Sequence, residues 1–162
     1  MNPYVSRILE RLGPRDPLAV LQETPRRLEA LAPALYARAE QSYSPGKWTA
    51  RQILCHLADT ELGLGFRLRQ IAAGVETVQA FDQEAWAQRY SGLSLELALR
   101  SFLALRSWNL AWLQGLDRAV WGRSYHHPER GLESFELAVR LWAGHDLNHL
   151  EQLEQITAHP SA

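Results

Sequence analysis

The sequence predicts an all-α protein built as a four-helix bundle, and three observations carry that expectation. Apolar residues recur at threes, fours and sevens through four long stretches, the period of a helix with one buried face. No run of five or more residues alternates apolar and polar side chains as a half-buried strand would. Residues that cap or stop helices stand at the ends of the long stretches, namely Thr49, Gly74, Ser94, Gly115 and Ser134.

A short helix is expected over about residues 3 to 12. The first long stretch, 17 to 37, carries Leu18, Leu21, Leu28, Leu31 and Leu35 on one face. Thr24-Pro25 interrupts it, and a kink or a break is expected there, with Thr24 as a cap and Pro25 in a restarted first turn. SYSPGKW, 42 to 48, has the composition of a loop. Thr49 opens a capping box with Gln52, and a second long helix follows from about Ala50 to Ala73. Its stripe is Leu54, Leu57, Leu64, Leu68 and Ile71.

Residues 74 to 93 form a long connection containing a short helical piece, FDQEAWAQ. Ser94 caps a third long helix, about 95 to 115, with Leu97, Phe102, Leu105, Trp108, Leu110 and Trp112 as its apolar positions. A second long connection, 116 to 133, holds SYHHPERG, and Ser134 caps the last helix to about Thr157. Helices of this length make a bundle about 30–36 Å tall. Both later connections are long enough to cross it from end to end.

The 162 residues suit one domain, 1–162, with 46% hydrophobic residues to form a core. Seventeen basic residues stand against eighteen acidic ones without a basic cluster, which argues against nucleic acid as a partner. Cys55 is the only cysteine, so no disulfide forms within one chain, and a reducing cytoplasm is the expected location. The N-terminal stretch has charges throughout and is not read as a signal peptide. No run approaches eighteen apolar residues, so no membrane partner is expected. Most of the six tryptophans are expected in the core, with one or two free to line a pocket.

The last helix carries two histidines, His145 and His149, four residues apart. At 100° per residue they fall on the face defined by Phe135, Trp142, Leu153 and Ile156, opposite Glu136, Arg140, Glu151 and Glu154. A buried imidazole must be satisfied or it costs about 1–3 kcal/mol. A pair one turn apart can instead chelate a divalent metal. On the pair alone both readings stay open. His56, beside the stripe of the second helix, supplies a third imidazole from a facing element. Three imidazoles suit zinc, nickel or another late first-row ion and leave positions open for water or substrate. Such binding is expected to be lost below about pH 6, because a protonated imidazole cannot ligate.

Asp146 is placed to orient a ligand imidazole as an acceptor behind it. Glu61 points inward, and an ion pair across the bundle fits it as well as catalysis does. Cys55 diverges by about 100° from His56 and reads as an inert thiol. His126 and His127 read as solvated loop histidines, with the mouth of a site as the alternative, and His159 near the C-terminus is set aside.

Five segments in order, KWTARQILCHLADTE, GFRLRQI, FDQEAW, HPERG and AGHDLNHLEQLEQI, resemble the DinB/YfiT-like superfamily of four-helix-bundle proteins. The resemblance spans about residues 17 to 157. It implies an up-down-down-up bundle with long crossovers, often a homodimer, with zinc or nickel near one end. The family's metal-binding histidines map onto His56, His145 and His149. It does not imply polymerase activity. Characterised members of such a family include thiol-dependent S-transferases, such as bacillithiol transferases and mycothiol-dependent maleylpyruvate isomerase. The expected function is thus a divalent-metal-binding thiol S-transferase or hydrolase acting on a small molecule, with a low-molecular-weight thiol as a possible second cofactor. The alternatives are a non-catalytic metal-stabilised or metal-sensing bundle, and a helical interaction domain with hydrogen-bonded histidines.

Overall fold

Every helix of five residues or more begins where a side chain accepts a free backbone N–H group. The computed structural model describes residues 2–158, so His159 lies outside the described residues. Asn2 caps α1 (Pro3–Leu12) by accepting from Tyr4 N, and Asp16 caps α2 (Pro17–Tyr36) by accepting from Leu18 N. The Thr49–Gln52 capping box opens α3 (Ala50–Ala72), with both of its hydrogen bonds formed. Asp82 caps α4 (Gln83–Ala87), and Ser94 caps α5 (Leu95–Gln114). A four-residue helix, α6 (Arg118–Trp121), precedes α7 (Phe135–Ala158), where the Ser134 hydroxyl accepts from Leu137 N.

Two expectations are corrected. α2 runs unbroken through Pro25. A proline inside a helix leaves the carbonyl four residues earlier without its partner. Here that carbonyl is Leu21 O, and Arg106 Nη1 donates to it from α5 at 2.9 Å. Thr24 does not cap a new helix; its hydroxyl donates to Val20 O at 3.0 Å. Second, SYHHPERG is not a loop. Residues Ser124–His127 (β1) and Gly131–Ser134 (β2) form an antiparallel hairpin. Gly131 takes the left-handed turn position, with φ 82°. The hairpin is tied to the other long connection, since His126 N donates to Glu76 O at 2.7 Å and Val78 N donates to His126 O at 3.2 Å.

The four long helices close a ring in which α2 packs on α7, α7 on α3, α3 on α5 and α5 on α2. Contacts fix their directions. Leu21 and Arg27 of α2 meet the Asp146 and Glu154 levels of α7, so those two run parallel. Arg51 reaches Leu93 just before α5, and Arg69 reaches Asn109, so α3 and α5 also run parallel. His56 meets His145 and His149, whereas Leu68 and Ile71 share a cluster with Phe135 and Val139, so α3 opposes α7. The result is an up-down-down-up bundle, as expected. α1 lies across α7, where Gly144 allows the approach: a Cβ there would stand 2.4 Å from Ile8 O.

The tryptophans depart from the core expectation. Trp142 is fully buried, but Trp86 is 38% and Trp108 69% exposed.

Apart from a small cluster of Val5, Ile8 and Leu141 between α1 and α7, the core is split into two apolar layers. One gathers Leu28, Leu35, Leu54, Leu57, Phe102 and Leu153; the other gathers Leu21, Leu68, Leu113, Val139 and Trp142. Between them on all four helices lies a polar level centred on Arg106, which is 1% exposed. Arg106 Nε and Nη2 donate to Glu61 Oε1 at 3.0 and 2.6 Å. Nη1 and Nη2 donate to Asp146 Oδ2 and Oδ1 at 2.7 and 3.1 Å. With Leu21 O, all five guanidinium donors are used. Asn109 Nδ2 adds a bond to Glu61 Oε2 at 3.0 Å. Removing the cation alone would leave two buried carboxylates facing each other. Arg106→Met is expected to destabilise the fold by about 3–5 kcal/mol, read from urea unfolding. A loss below about 1 kcal/mol would show that the polar level does not hold the bundle.

Candidate metal centre

His56 stands near the start of α3, while His145 and His149 stand on successive turns of antiparallel α7. Because the two helices oppose each other, their side chains meet. His56 Nε2 lies 2.8 Å from His145 Nε2, and His149 Nε2 lies 3.1 Å from the same atom. The ring planes are inclined by 61° to 70°, so three ring edges turn toward one point. All three residues are buried, at 2%, 8% and 6% exposure.

One tautomer is fixed from outside the cluster. His149 Nδ1 lies 2.8 Å from Gln152 Oε1, and the Gln152 amide N donates to Tyr43 OH at 3.3 Å. The imidazole proton therefore sits on Nδ1, and the Nε2 lone pair of His149 faces its two neighbours. Trp48 walls the cluster. Its ring is 4.8 Å from that of His56 and lies nearly parallel to that of His149, at 13°.

The donor set fits a divalent ion. Nitrogens bound at about 2.1 Å lie about 3.0 Å apart at right angles and about 3.4 Å apart in a tetrahedron. The two observed separations stand near the first figure. Without a cation, a proton on the shared His145 Nε2 would have to serve both neighbouring nitrogens. Among the described residues, His56, His145 and His149 are the group able to hold a metal ion.

Burial governs the charge of these rings. It pushes His56 down to about 3, with the His149 ring adding to the effect. It pushes His149 down to about 4 against the opposing influence of Gln152 and Asp146. His145 is held well below the ordinary value by burial first, then by its histidine neighbours and the Arg106 guanidinium. All three are neutral, hence able to ligate, well into the acidic range.

The other candidate residues fall differently. Asp146 lies next to His145 in sequence but bonds no imidazole, because both its oxygens are taken by Arg106. The orienting acceptor that was expected of it is Gln152, on His149 alone. The i, i+3 spacing of His149 and Gln152 was the available signal. Glu61 is the cross-bundle ion pair, with Arg106 as a partner that sequence reasoning missed. The Cys55 thiol is pushed up to about 11 by burial, which keeps it protonated and inert.

The solvated-loop reading of His127 is overturned. Strand alternation in β1 turns Tyr125 and His127 inward and leaves His126 exposed. His127 is 1% exposed, and its Nδ1 accepts from Glu129 N at 3.2 Å. Burial, then Arg130 and Arg67, push it down to about 4. It lines a cleft of about 620 Å³ whose wall also includes His56, Thr60, Arg67, Trp142 and His145. Polar atoms without a protein partner gather along that wall: Thr60 Oγ1, Arg67 Nε, Trp142 Nε1, and Nδ1 of His56 and of His145. The histidine cluster thus opens on a cavity able to take a small molecule.

Comparisons with known proteins bear on the family and the fold. A family model described as the DinB superfamily matches residues 18–153. A relative from Oceanobacillus iheyensis is 29% identical over 119 residues, covering 72% of this chain and 69% of its own. YfiT of Bacillus subtilis is 26% identical over 147 residues, covering 86% of this chain and 82% of its own. The names of both relatives assign them, by inference, to the metal-dependent hydrolases. The solved structure of YfiT, described as "a probable metal-dependent hydrolase with an unusual four-helix bundle topology", aligns with a TM-score of 0.79. The alignment is at 23% identity and covers 86% of this chain and 83% of that one, and it supports the fold.

The depressed histidine values have a consequence for stability. Below about pH 6.5 an unfolded chain protonates these residues while the folded chain does not. The unfolded state then binds more protons, so stability is lost as pH falls from about 6.5 toward 4. The melting temperature of the metal-free protein is expected to drop steadily over that window. A flat profile between pH 6.5 and 5 would contradict the burial argument.

Proposed function

From the premise that the chain belongs to the DinB superfamily, we propose that it is a metal-dependent enzyme acting on a small molecule, with zinc or nickel held by His56, His145 and His149. The observation that carries this reading is the convergence of three Nε2 atoms, two of them on histidines, His56 and His145, that line a cleft. A divalent ion bound there would lower the pKa of a coordinated water or thiol and supply a nucleophile near neutral pH. The chain's own residues do the rest. Gln152 and Tyr43 hold the His149 ring with its lone pair forward. Trp48 limits access of water from one side. Thr60 Oγ1 and Trp142 Nε1 offer polar contacts to a molecule in the cleft.

Hydrolysis and thiol S-transfer differ in what they ask of the site. Water activation is usually helped by a nearby carboxylate base. Here the buried carboxylates are engaged, Glu61 and Asp146 by Arg106 and Glu133 by Arg130, and the two that border the cleft, Asp82 and Glu129, are exposed. A thiol is deprotonated on coordination and needs no such base. That favours a low-molecular-weight thiol as the second cofactor, although the relatives carry hydrolase names. A non-catalytic structural ion ranks lower, because structural zinc is usually closed by four protein ligands. The single, buried Cys55 suits a reducing cytoplasm. Among the described residues no helix is long and apolar enough to cross a membrane.

The test begins with untagged protein. About one zinc or nickel per chain is expected on titration, and His56→Ala, His145→Ala or His149→Ala should each weaken binding by several kcal/mol. Affinity should persist at pH 5, lower than ordinary histidines allow, since burial keeps the rings neutral. No stoichiometric metal on titration would remove the proposal's basis.

A homodimer is proposed as well, because Leu62, Phe66 and Trp108 are exposed on α3 and α5. Light scattering is expected to give twice the chain mass, shifting toward the monomer with Phe66→Glu. A monomer at every concentration would refute it.

A further inference from the structure

Arg67 is a buried charge without an ion-pair partner among the described residues; Glu133 and Glu129 act on it only from beyond ion-pair distance. It is 6% exposed, yet no carboxylate lies within ion-pair distance of it. The other arginines in comparable settings are matched, Arg106 by Glu61 and Asp146, and Arg130 by Glu133. A buried cation without an anion is costly, and a fold tolerates one where a ligand supplies the counter-charge.

Its geometry points the same way. One donor is used on Gln79 O, from Nη2 at 2.9 Å, and the guanidinium carbon lies 5.4 Å from the centre of the Phe81 ring. These contacts hold the fork in place and leave Nε, itself buried, without a partner. Arg67 lines the same cleft as the histidines. His56, Thr60, Leu64 and Arg67 follow one another at helical spacing along one face of α3, so Arg67 stands about 16 Å along the axis from His56. Two carboxylates also border the cleft, Asp82 and Glu129, but both are exposed. Asp82 is turned to the backbone N–H of Glu84 and Ala85.

We propose that Arg67 is an anion-binding residue of this cleft, and that the molecule taken by the metal centre carries a carboxylate or phosphate group remote from its reacting atom. The inference rests on the enzyme reading above for the reacting end and on Arg67 alone for the anionic end. An arginine fork pairs with either oxyanion through two parallel hydrogen bonds.

The experiment is calorimetric titration of the full chain, metal-free and zinc-loaded, with inorganic phosphate and with succinate as probes. At least one probe should bind the metal-free protein. Arg67→Gln should weaken it by about tenfold or more, the scale of losing a charge-assisted hydrogen bond. Arg67→Lys, which keeps the charge without the fork, should retain part of the affinity. Zinc binding should be unchanged in both variants, and without probe Arg67→Gln should melt no lower than the wild type. Preference for one probe would name the oxyanion class. The proposal is overturned if neither probe binds the metal-free wild type up to tens of millimolar, or if Arg67→Gln and Arg67→Lys both bind as tightly as it does. It is also overturned if Arg67→Gln melts well below the wild type with probe affinity intact, which is what a purely structural arginine would do. Failure of the wild type to take up zinc would strike the enzyme reading and leave this result standing.

Discussion

Arg106 uses all five of its N–H donors inside the bundle, and those donors reach all three of the other long helices. Glu61 comes from α3, Asp146 from α7 and Leu21 O from α2. A buried cation demands this degree of satisfaction, because each unmet donor in a low-dielectric interior costs free energy. The demand fixes the relative heights of four helices that apolar packing alone would allow to slide. It also explains how Pro25 is tolerated: the carbonyl that the proline leaves free is the one that Arg106 takes.

The histidine cluster lies beside this level and benefits from it. His145 and Asp146 are neighbours on α7, so the residue that fixes the height of α7 also fixes His145 against His56. The ion triad and the imidazoles remain separate in chemistry. Asp146 and Glu61 face the guanidinium, while the imidazoles face one another and the cleft. Burial keeps the rings neutral, with the Arg106 guanidinium adding to it at His145 and Asp146 opposing it at His149.

The two long connections complete the cleft. They meet in backbone hydrogen bonds between residues 76–78 and His126, and they bring His127 and Phe81 to a cavity whose opposite wall is helical. Irregular chain so placed is commonly where substrate contacts are found, because loops on a rigid scaffold can vary without loss of the fold.

Much was legible in the sequence. Helical periodicity, the Thr49–Gln52 box and the Ser94 and Ser134 caps marked the helices because each is a local effect, set by residues within one turn. The inward faces of His145 and His149 were legible for the same reason, and Gln152 could have been read from its spacing. What lay beyond the sequence depends on partners distant along the chain. The uninterrupted course of α2, the engagement of Asp146 by Arg106 rather than by histidine, the burial of His127 in a four-residue strand and the isolation of Arg67 all follow from residues some ten to more than eighty positions apart. Periodicity shows which way a side chain faces on its own helix. Only the packed bundle decides which charge, carbonyl or ring it meets there, because in a buried interior each polar group takes the partner that the neighbouring elements bring within reach.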